Sequence, residues 1–370
     1  MAGAVSVSIR VATSPGEAQV AVVDDNRLID YVLWRPGAPD GVGDIHHGRI
    51  IAQVPGMAGA FVAIAGAEGF LPESEGAKGL TSGTMLAVRV TRAAQGTKGP
   101  RLSARHVDPV SAGSVALLQR GPDPVARLAA RFPSAPVIVD DAALAATLRL
   151  GARVTVASGV FDEDVAEAID ALARSEVDLP GGASVSVWPT PALVAIDVDA
   201  GGSLAGSAAA KVRHQAVNRA ILPPLAEQIR LRNLSGAIVV DLAGLSPRKR
   251  AALGPDFSAA LASDPLHPRF LGFTALGLAE IVRPRIHPPL HELLAGPLAA
   301  GLAALRAVIA AFHQDPRGLP AIRTNPAVVS ALQADPVALP DLARRTGRQV
   351  TLKSDPSLPA TVWVLEKDNG

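Results

Sequence analysis

Leu193-Val194-Ala195-Ile196-Asp197 and Ala237-Ile238-Val239-Val240-Asp241 are two runs of four apolar residues, each closed by an aspartate. Runs this short and this apolar suit strands in the interior of a sheet, covered on both faces. A carboxylate is not stable in such a core, so each aspartate emerges where its strand ends. Between the runs, Val212–Leu231 has helical spacing, interrupted at Pro223-Pro224. The pattern is strand, helix, strand, and if the two strands are neighbours the carboxylates converge. Mg²⁺ commonly takes one or two carboxylates from protein and leaves the rest of its octahedron to water and substrate phosphate. A single strand-end aspartate is more often a turn or helix cap. The pairing is what favours a metal site.

Outward from this unit the chain is mixed α/β. Pro124–Phe132, Asp141–Leu150 and Glu163–Arg174 read as helices, and Val137–Val139 and Val154–Val156 as strands. Beyond Asp241 an Ala-rich helical stretch runs to about Ala311, and a Pro-punctuated tail ends in a strand over Thr361–Leu365. At the amino terminus Val5–Val11, Gln19–Val23 and Leu28–Trp34 are strand-like, with a turn at Ser14-Pro15-Gly16 and a linker over 36–41. From Gly48 to Thr91 short strands with glycine at the corners predict a small all-β barrel.

Composition bounds the chemistry. The 370 residues are 48% hydrophobic and 19% charged, which is globular and long enough for two or three domains. Thirty-five Lys plus Arg against 34 Asp plus Glu leave a net charge of +1, so nucleic-acid binding must come from local basic patches. There is no cysteine, which excludes disulfides, thiolate zinc sites and cysteine nucleophiles. Val5, Val7 and Ile9 alternate as in a strand, with none of the pattern of a signal peptide. Leu293–Phe312 is apolar for the length of a membrane span, but Gly296, Pro297, Gly301, Arg306 and many alanines predict a buried or amphipathic helix. The expectation is a cytoplasmic protein without a membrane span.

Within the barrel, Gly59-Ala60-Phe61-Val62-Ala63-Ile64, Gly69-Phe70-Leu71 and Gly96-Thr97-Lys98-Gly99-Pro100-Arg101 place two of the eight phenylalanines and one of six lysines in a short ordered set. Barrels of this type hold single strands by stacking bases on aromatics beside a cationic groove, although a lone Phe is more often core. This block resembles the S1 domain found inside the ribonuclease E/G family. The resemblance extends to Val22–Leu28, to Ala192–Val198, to Gln228–Asp241 and to Leu276-Gly277-Leu278-Ala279-Glu280-Ile281-Val282-Arg283-Pro284-Arg285, in the family's order.

The resemblance implies an α/β multidomain protein: a DNase I-like catalytic domain beside a split RNase H-like subdomain, with an inserted all-β S1 (OB-fold) RNA-binding domain. The corresponding ranges are 1–34 and 107–182 for the RNase H-like parts, 35–106 for the S1-like domain, 183–292 for the catalytic domain and 293–370 for a small α/β domain. It implies a Mg²⁺-dependent endoribonuclease acting on single-stranded RNA, with Mn²⁺ an alternative ion. Asp197 and Asp241 are the expected metal ligands, and Asp199 a third catalytic carboxylate. Phe61, Phe70, Lys98, Arg230, Arg232, Arg283 and Arg285 are the expected RNA contacts.

Three departures from the family pattern stand out. Asp199 occupies a position where the family usually has Asn. Leu242-Ala243-Gly244 follows Asp241 without the family's second acidic residue. Val107–Gly182 is too short for the family's 5′-end sensor, and no Arg-Thr pair occurs there. The cysteine pair of the family's zinc link is missing as well, so neither zinc nor a zinc-linked dimer is expected, and any homo-oligomer must form otherwise. His287 and His291 have helical spacing but lack further ligands and are expected to face solvent. The competing reading, favoured by Asp199 and Ala243, is a catalytically weakened relative that binds RNA or a ribosomal particle without cutting; a phosphodiesterase acting on DNA is a distant third.

Overall fold

A computed structural model describes residues 7–108, 113–179, 182–199, 208–242, 244 and 246–367, the side chains of 208–215 and 247 excepted. Val5 and Ala243, both used above, lie outside the described residues. The chain forms two compact units. Met1–Ala38, Pro124–Pro284 and Pro289–Gly370 make the first, and Pro39–Asp123 with Arg285–Pro288 the second.

The first unit begins with a meander, β1 (Val7–Ser14), β2 (Glu17–Asp24) and β3 (Arg27–Trp34), each strand antiparallel to the next. The turn between β1 and β2 is tight because Gly16 takes a φ of +76°.

The second unit then carries β4 (Ile45–Val54), β5 (Gly59–Ile64), β6 (Ala67–Pro72), β7 (Met85–Arg92), β8 (Arg101–Ser103) and β9 (Ala116–Gln119). The strand order is β5-β6-β8-β7-β4-β9, and β4 also pairs with β5, which closes the first five into a barrel. Ile50, Val62, Leu71, Val88 and Leu102 fill it. No aromatic is needed inside, which leaves Phe61 and Phe70 half-buried on the outside.

Back in the first unit, α1 (Pro124–Arg131), β10 (Val137–Val139), α2 (Ala142–Thr147) and β11 (Val154–Val156) complete the opening sheet. Its order is β11-β10-β1-β2-β3, with β10 parallel to both β1 and β11. After α3 (Glu163–Ala171) come β12 (Glu176–Leu179), β13 (Ala183–Pro189), β14 (Val194–Asp199), α4 (Ala208–Leu231), β15 (Gly236–Asp241), α5 (Pro247–Ala251), α6 (Gly254–Leu261), β16 (Arg269–Phe273) and β17 (Ala279–Arg283). These strands form a sheet of order β12-β13-β14-β15-β17-β16.

Helix α4 runs through Pro223-Pro224, where the spacing predicted an interruption. Proline removes a helix hydrogen bond, but Ile221, Leu222, Leu225 and Ile229 around the pair are buried in the core of this sheet. Burial of four large aliphatics at about 1.5–3 kcal/mol each outweighs that loss.

The terminal part comprises α7 (Leu290–Leu293), α8 (Gly296–Gln314), β18 (Ala321–Thr324), α9 (Pro326–Ala334), α10 (Ala338–Thr346), β19 (Leu352–Ser354) and β20 (Trp363–Glu366). Helix α8 is long and apolar enough to cross a membrane by length and composition. In the structure Leu302, Leu305 and Val308 on α8 pack in one core with Ile322, Val328, Leu332 and Leu342. Buried Glu17 on β2 accepts from both Arg35 and Arg306, so a charge cluster ties α8 to the opening sheet.

Candidate functional site

Alternation along the strands decides which side chains meet. In β14 Val194, Ile196 and Val198 are buried, while Asp197 and Asp199 are exposed. In β15 Ile238 and Val240 are buried and Asp241 is exposed. The two strands are adjacent and parallel, and Asp197 is the register partner of Asp241. Neighbouring strands lie about 4.8 Å apart, so both carboxylates stand side by side on the solvent face at the carboxyl ends of the strands. Here a strand-end position does not mean a cap: neither carboxylate accepts a hydrogen bond from a helix or turn amide among the described residues.

The same row continues across the sheet. Asp197 pairs with Ser186 on β13, and Ser186 with Glu176 on β12. The next row holds Asp199, Ser184 and Asp178. Six carboxylates, those of Glu176, Asp178, Asp197, Asp199, Asp241 and Glu280, therefore share one exposed sheet face. Such a face repels a phosphodiester unless a cation intervenes. Among the described residues no group of three or more His, Asp or Glu side chains is gathered closely enough to hold a metal. The donor set is two adjacent carboxylates, the number Mg²⁺ takes when substrate and water supply the remainder.

Arg250, on α5, reaches the pair. Its guanidinium is 3.7 Å from Asp241 and donates to the carbonyls of Gly277 at 2.7 Å and Leu242 at 3.2 Å. A Cβ on Gly277, whose φ is +87°, would meet the Arg250 guanidinium at 1.9 Å. The positive φ favours glycine in the 274–278 turn, and the missing Cβ leaves room for this guanidinium. Nothing in the order of residues signals that contact, because Arg250 and Gly277 approach each other only in the fold.

Three of the arginines expected to contact RNA are engaged with the protein's own groups. Arg283 is 3% exposed and donates to Asp264 at 2.7 Å, Asn233 at 2.7 Å and the Leu234 carbonyl at 3.1 Å. Arg232 is 6% exposed and bonds to Gln228 and to the Arg174 and Ala171 carbonyls; burial holds its pKa down to about 10. Arg230 spans the Ile29 carbonyl and the Ser263 hydroxyl. These side chains tie α4 and β17 to their neighbours. Asn218 is fully buried on α4. His287 does not face solvent freely: its Nδ1 lies 2.6 Å from Asp40 in the barrel unit. His291 belongs to α7 in the first unit, so the helical spacing of the two histidines never becomes one helix face.

On the barrel, Phe61 and Phe70 are cross-strand partners with ring centroids 5.7 Å apart in an edge-to-face contact. Phe70 is in register with Arg101, and Arg101 with Arg92. Two phenylalanines and two arginines thus form one row over four strands. Lys98 lies exposed on the turn leading into β8. That turn sits tightly on β6, since a Cβ at Gly99 would meet the Glu68 carbonyl at 1.8 Å. Arg285 belongs to this unit and not to the sheet of Asp197 and Asp241. Burial, then Arg101 and Arg285, push the Arg92 guanidinium below its usual pKa. Arg92 and Arg101 were missed in the sequence because only strand pairing puts them beside the aromatics.

Comparison with known proteins finds one family for part of the chain. Residues 149–286 match the model of the ribonuclease E/G family. Ribonuclease E of Nostoc sp. (strain PCC 7120) is 36% identical over 121 residues, which are 32% of this chain and 18% of that protein. Ribonuclease E of Escherichia coli (strain K12) is 30% identical over 125 residues, 34% of this chain and 12% of the relative. Ribonuclease G of the same organism is 28% identical over 144 residues, 36% of this chain and 28% of the relative. The matched region thus spans between 12% and 28% of the length of these relatives. It contains Asp197, Asp199, Asp241 and Arg250.

Proposed function

We propose, from the match of residues 149–286 to the ribonuclease E/G family, that the protein is an endoribonuclease cutting single-stranded RNA at the Asp197–Asp241 pair. The observation that carries this is the register of two exposed aspartates on adjacent parallel strands. The two carboxylates would hold Mg²⁺, or Mn²⁺, which supplies a polarised phosphoryl oxygen, an activated water and a stabilised leaving 3′-oxygen. Arg250 holds the backbone of Leu242 and Gly277 and so fixes the direction of the Asp241 carboxylate. Asp199, one turn of the strand further on the same face, adds negative charge beside the pair and can orient water.

The finer architecture belongs to this reading too. The β11-β10-β1-β2-β3 order, interrupted in the chain by the barrel, supports an RNase H-like subdomain split by an S1-like insertion. The closed order β4-β5-β6-β8-β7 supports an OB-type barrel. The sheet with Asp197 and Asp241 corresponds to a DNase I-like catalytic part. The test is cleavage of a short single-stranded RNA by purified protein with and without Mg²⁺; no cut in either condition overturns the proposal. A second reading, RNA binding without cutting, is favoured in the sequence by Asp199 and by Ala243, in the stretch where the family carries a further acid.

Substrate holding is assigned to the barrel row, with Lys98, Arg92, Arg101 and Arg285 as its cationic side. Phe70→Ala is expected to weaken RNA binding by about 1–3 kcal/mol, the value of one base stacked on an aromatic. Lys98→Ala should lower the salt slope of binding by about one unit or less. Loss of stability in Phe70→Ala with affinity unchanged would return the ring to barrel packing.

Selection of a 5′ end is not part of this proposal, because the segment between the barrel and the catalytic sheet carries no Arg-Thr pair. A single terminal phosphate gains only generic attraction, screened beyond about 10 Å at moderate salt. Oligonucleotides with 5′-hydroxyl or 5′-monophosphate ends, and a circular form, should be cut at similar rates. A tenfold preference for the monophosphate would reveal a sensor.

A further inference from the structure

Trp188 is 57% exposed on the same sheet face as the aspartate pair. An aromatic of this size in water forfeits the burial that usually stabilises it, and it is not among the side chains packed against the core of its sheet. Its backbone is held firmly. Pro189 and Pro191 restrict the β13–β14 hairpin. Within that hairpin Thr190 accepts from the Ala192 and Leu193 amides, at 3.3 and 3.1 Å, and donates to the Leu193 carbonyl at 2.7 Å.

The register places Trp188 relative to the site. Trp188 pairs with Ala195, Ala195 with Val239, and Val239 with Glu280. Asp197 and Asp241 occupy the adjacent row of the same face, two residues along each strand. Trp188 is therefore diagonal to Asp197, about 7–8 Å away between backbones and within reach of a large side chain. The small Ala195 and the aliphatic Val239 leave a shallow apolar floor between the indole and the carboxylates. No carboxylate stands in that row nearer than Glu280, three strands over.

We infer that Trp188 is a stacking platform for the base next to the scissile phosphate, and that it biases the enzyme toward purines at that position. This rests on the nuclease reading for the word scissile, but not for the binding itself. An indole presents one flat face with no hydrogen-bond code, so what it recognises is ring area; adenine offers more than uracil. The floor of Ala195 and Val239 accepts the edge of a base, while the sugar–phosphate reaches the aspartate row. Trp188 thus acts on where RNA sits and not on the reaction step.

The test uses the 370-residue chain carrying Asp197→Asn, so that RNA is bound without turnover, and short oligoadenylate and oligouridylate as probes. Indole emission should be quenched on saturation with oligoadenylate. The quench should disappear in Trp188→Phe, since Trp34 and Trp363 are half-buried elsewhere in the unit. Trp188→Ala should raise the Kd for oligoadenylate tenfold or more, Trp188→Phe by less, and the adenine-over-uracil ratio should collapse toward one in the alanine variant. With Asp197 intact, the alanine variant should raise KM with kcat little changed, and its thermal midpoint should match the parent.

Emission that does not respond to saturating RNA, or an alanine variant with parental affinity and base preference, overturns the platform. So does a change of sedimentation state in Trp188→Ala without a change in RNA affinity, which would make the indole a contact between copies of the chain. The two readings fail separately. Quenching without cleavage by the parent sinks the nuclease and keeps the platform; cleavage with a silent Trp188 does the reverse.

Discussion

Asp197→Asn and Asp241→Asn are each expected to slow RNA cleavage by about a thousandfold or more, the rate equivalent of several kcal/mol of lost charge stabilisation. An amide keeps the size and one acceptor oxygen of the carboxylate but none of its charge, so the ion is held too weakly to acidify water near neutral pH. Both side chains are exposed on the sheet face, and the approach of Arg250 to Asp241 at 3.7 Å is the contact their replacement weakens. Stability should hardly move, and on a face with six carboxylates RNA affinity without metal should rise slightly. Single-turnover cleavage, filter binding and thermal melting separate these effects. A variant that cuts at the parental rate would remove that aspartate from the site.

Arg283→Ala is expected to have the opposite signature, a loss of about 3–5 kcal/mol of stability. Arg283 and Asp264 are 3% and 4% exposed at the side chain and pair at 2.7 Å. Removal of the guanidinium leaves a buried carboxylate unpaired and withdraws donors from Asn233 and the Leu234 carbonyl. Urea unfolding measures the loss. Undiminished stability together with weakened RNA binding would restore the role that the sequence suggested for this arginine. Asp264→Asn with Arg283 intact should be milder, since the amide oxygen still accepts from the guanidinium.

These two predictions divide the charged residues by what the fold does with them. Asp197 and Arg283 lie in one sheet, on β14 and β17 with β15 between them, both near positions that resemble family motifs. Motif membership does not distinguish them; strand parity does. Asp197 and Asp241 occupy outward positions in β14 and β15, whereas Arg283 occupies an inward position in β17, at the end of the alternating pattern Ala279, Ile281, Arg283. The inward parity of Arg283 could have been counted from that alternation, but its partner could not. Asp264 belongs to the loop after α6, and no periodicity links the two.

The sequence by itself determined the strand–helix–strand unit, because four consecutive apolar residues ending in Asp have few places to go except a buried strand with its carboxylate at the exit. It also determined the barrel, whose short strands and corner glycines leave little room for another topology. Turn chemistry and hydrophobic runs are local, and local patterns survive in a linear reading. Tertiary structure alone decided that β14 and β15 are neighbours, that Arg250 and not Arg232 or Arg283 stands beside Asp241, that Phe70 shares a row with Arg101 and Arg92, and that Trp188 faces the aspartates across Ala195. Each of these is a pairing between residues on different elements, and no local pattern along the chain reports it. Its energy comes from register and close packing, as at Gly277 beneath the Arg250 guanidinium, and register is set by the whole sheet rather than by any segment of it.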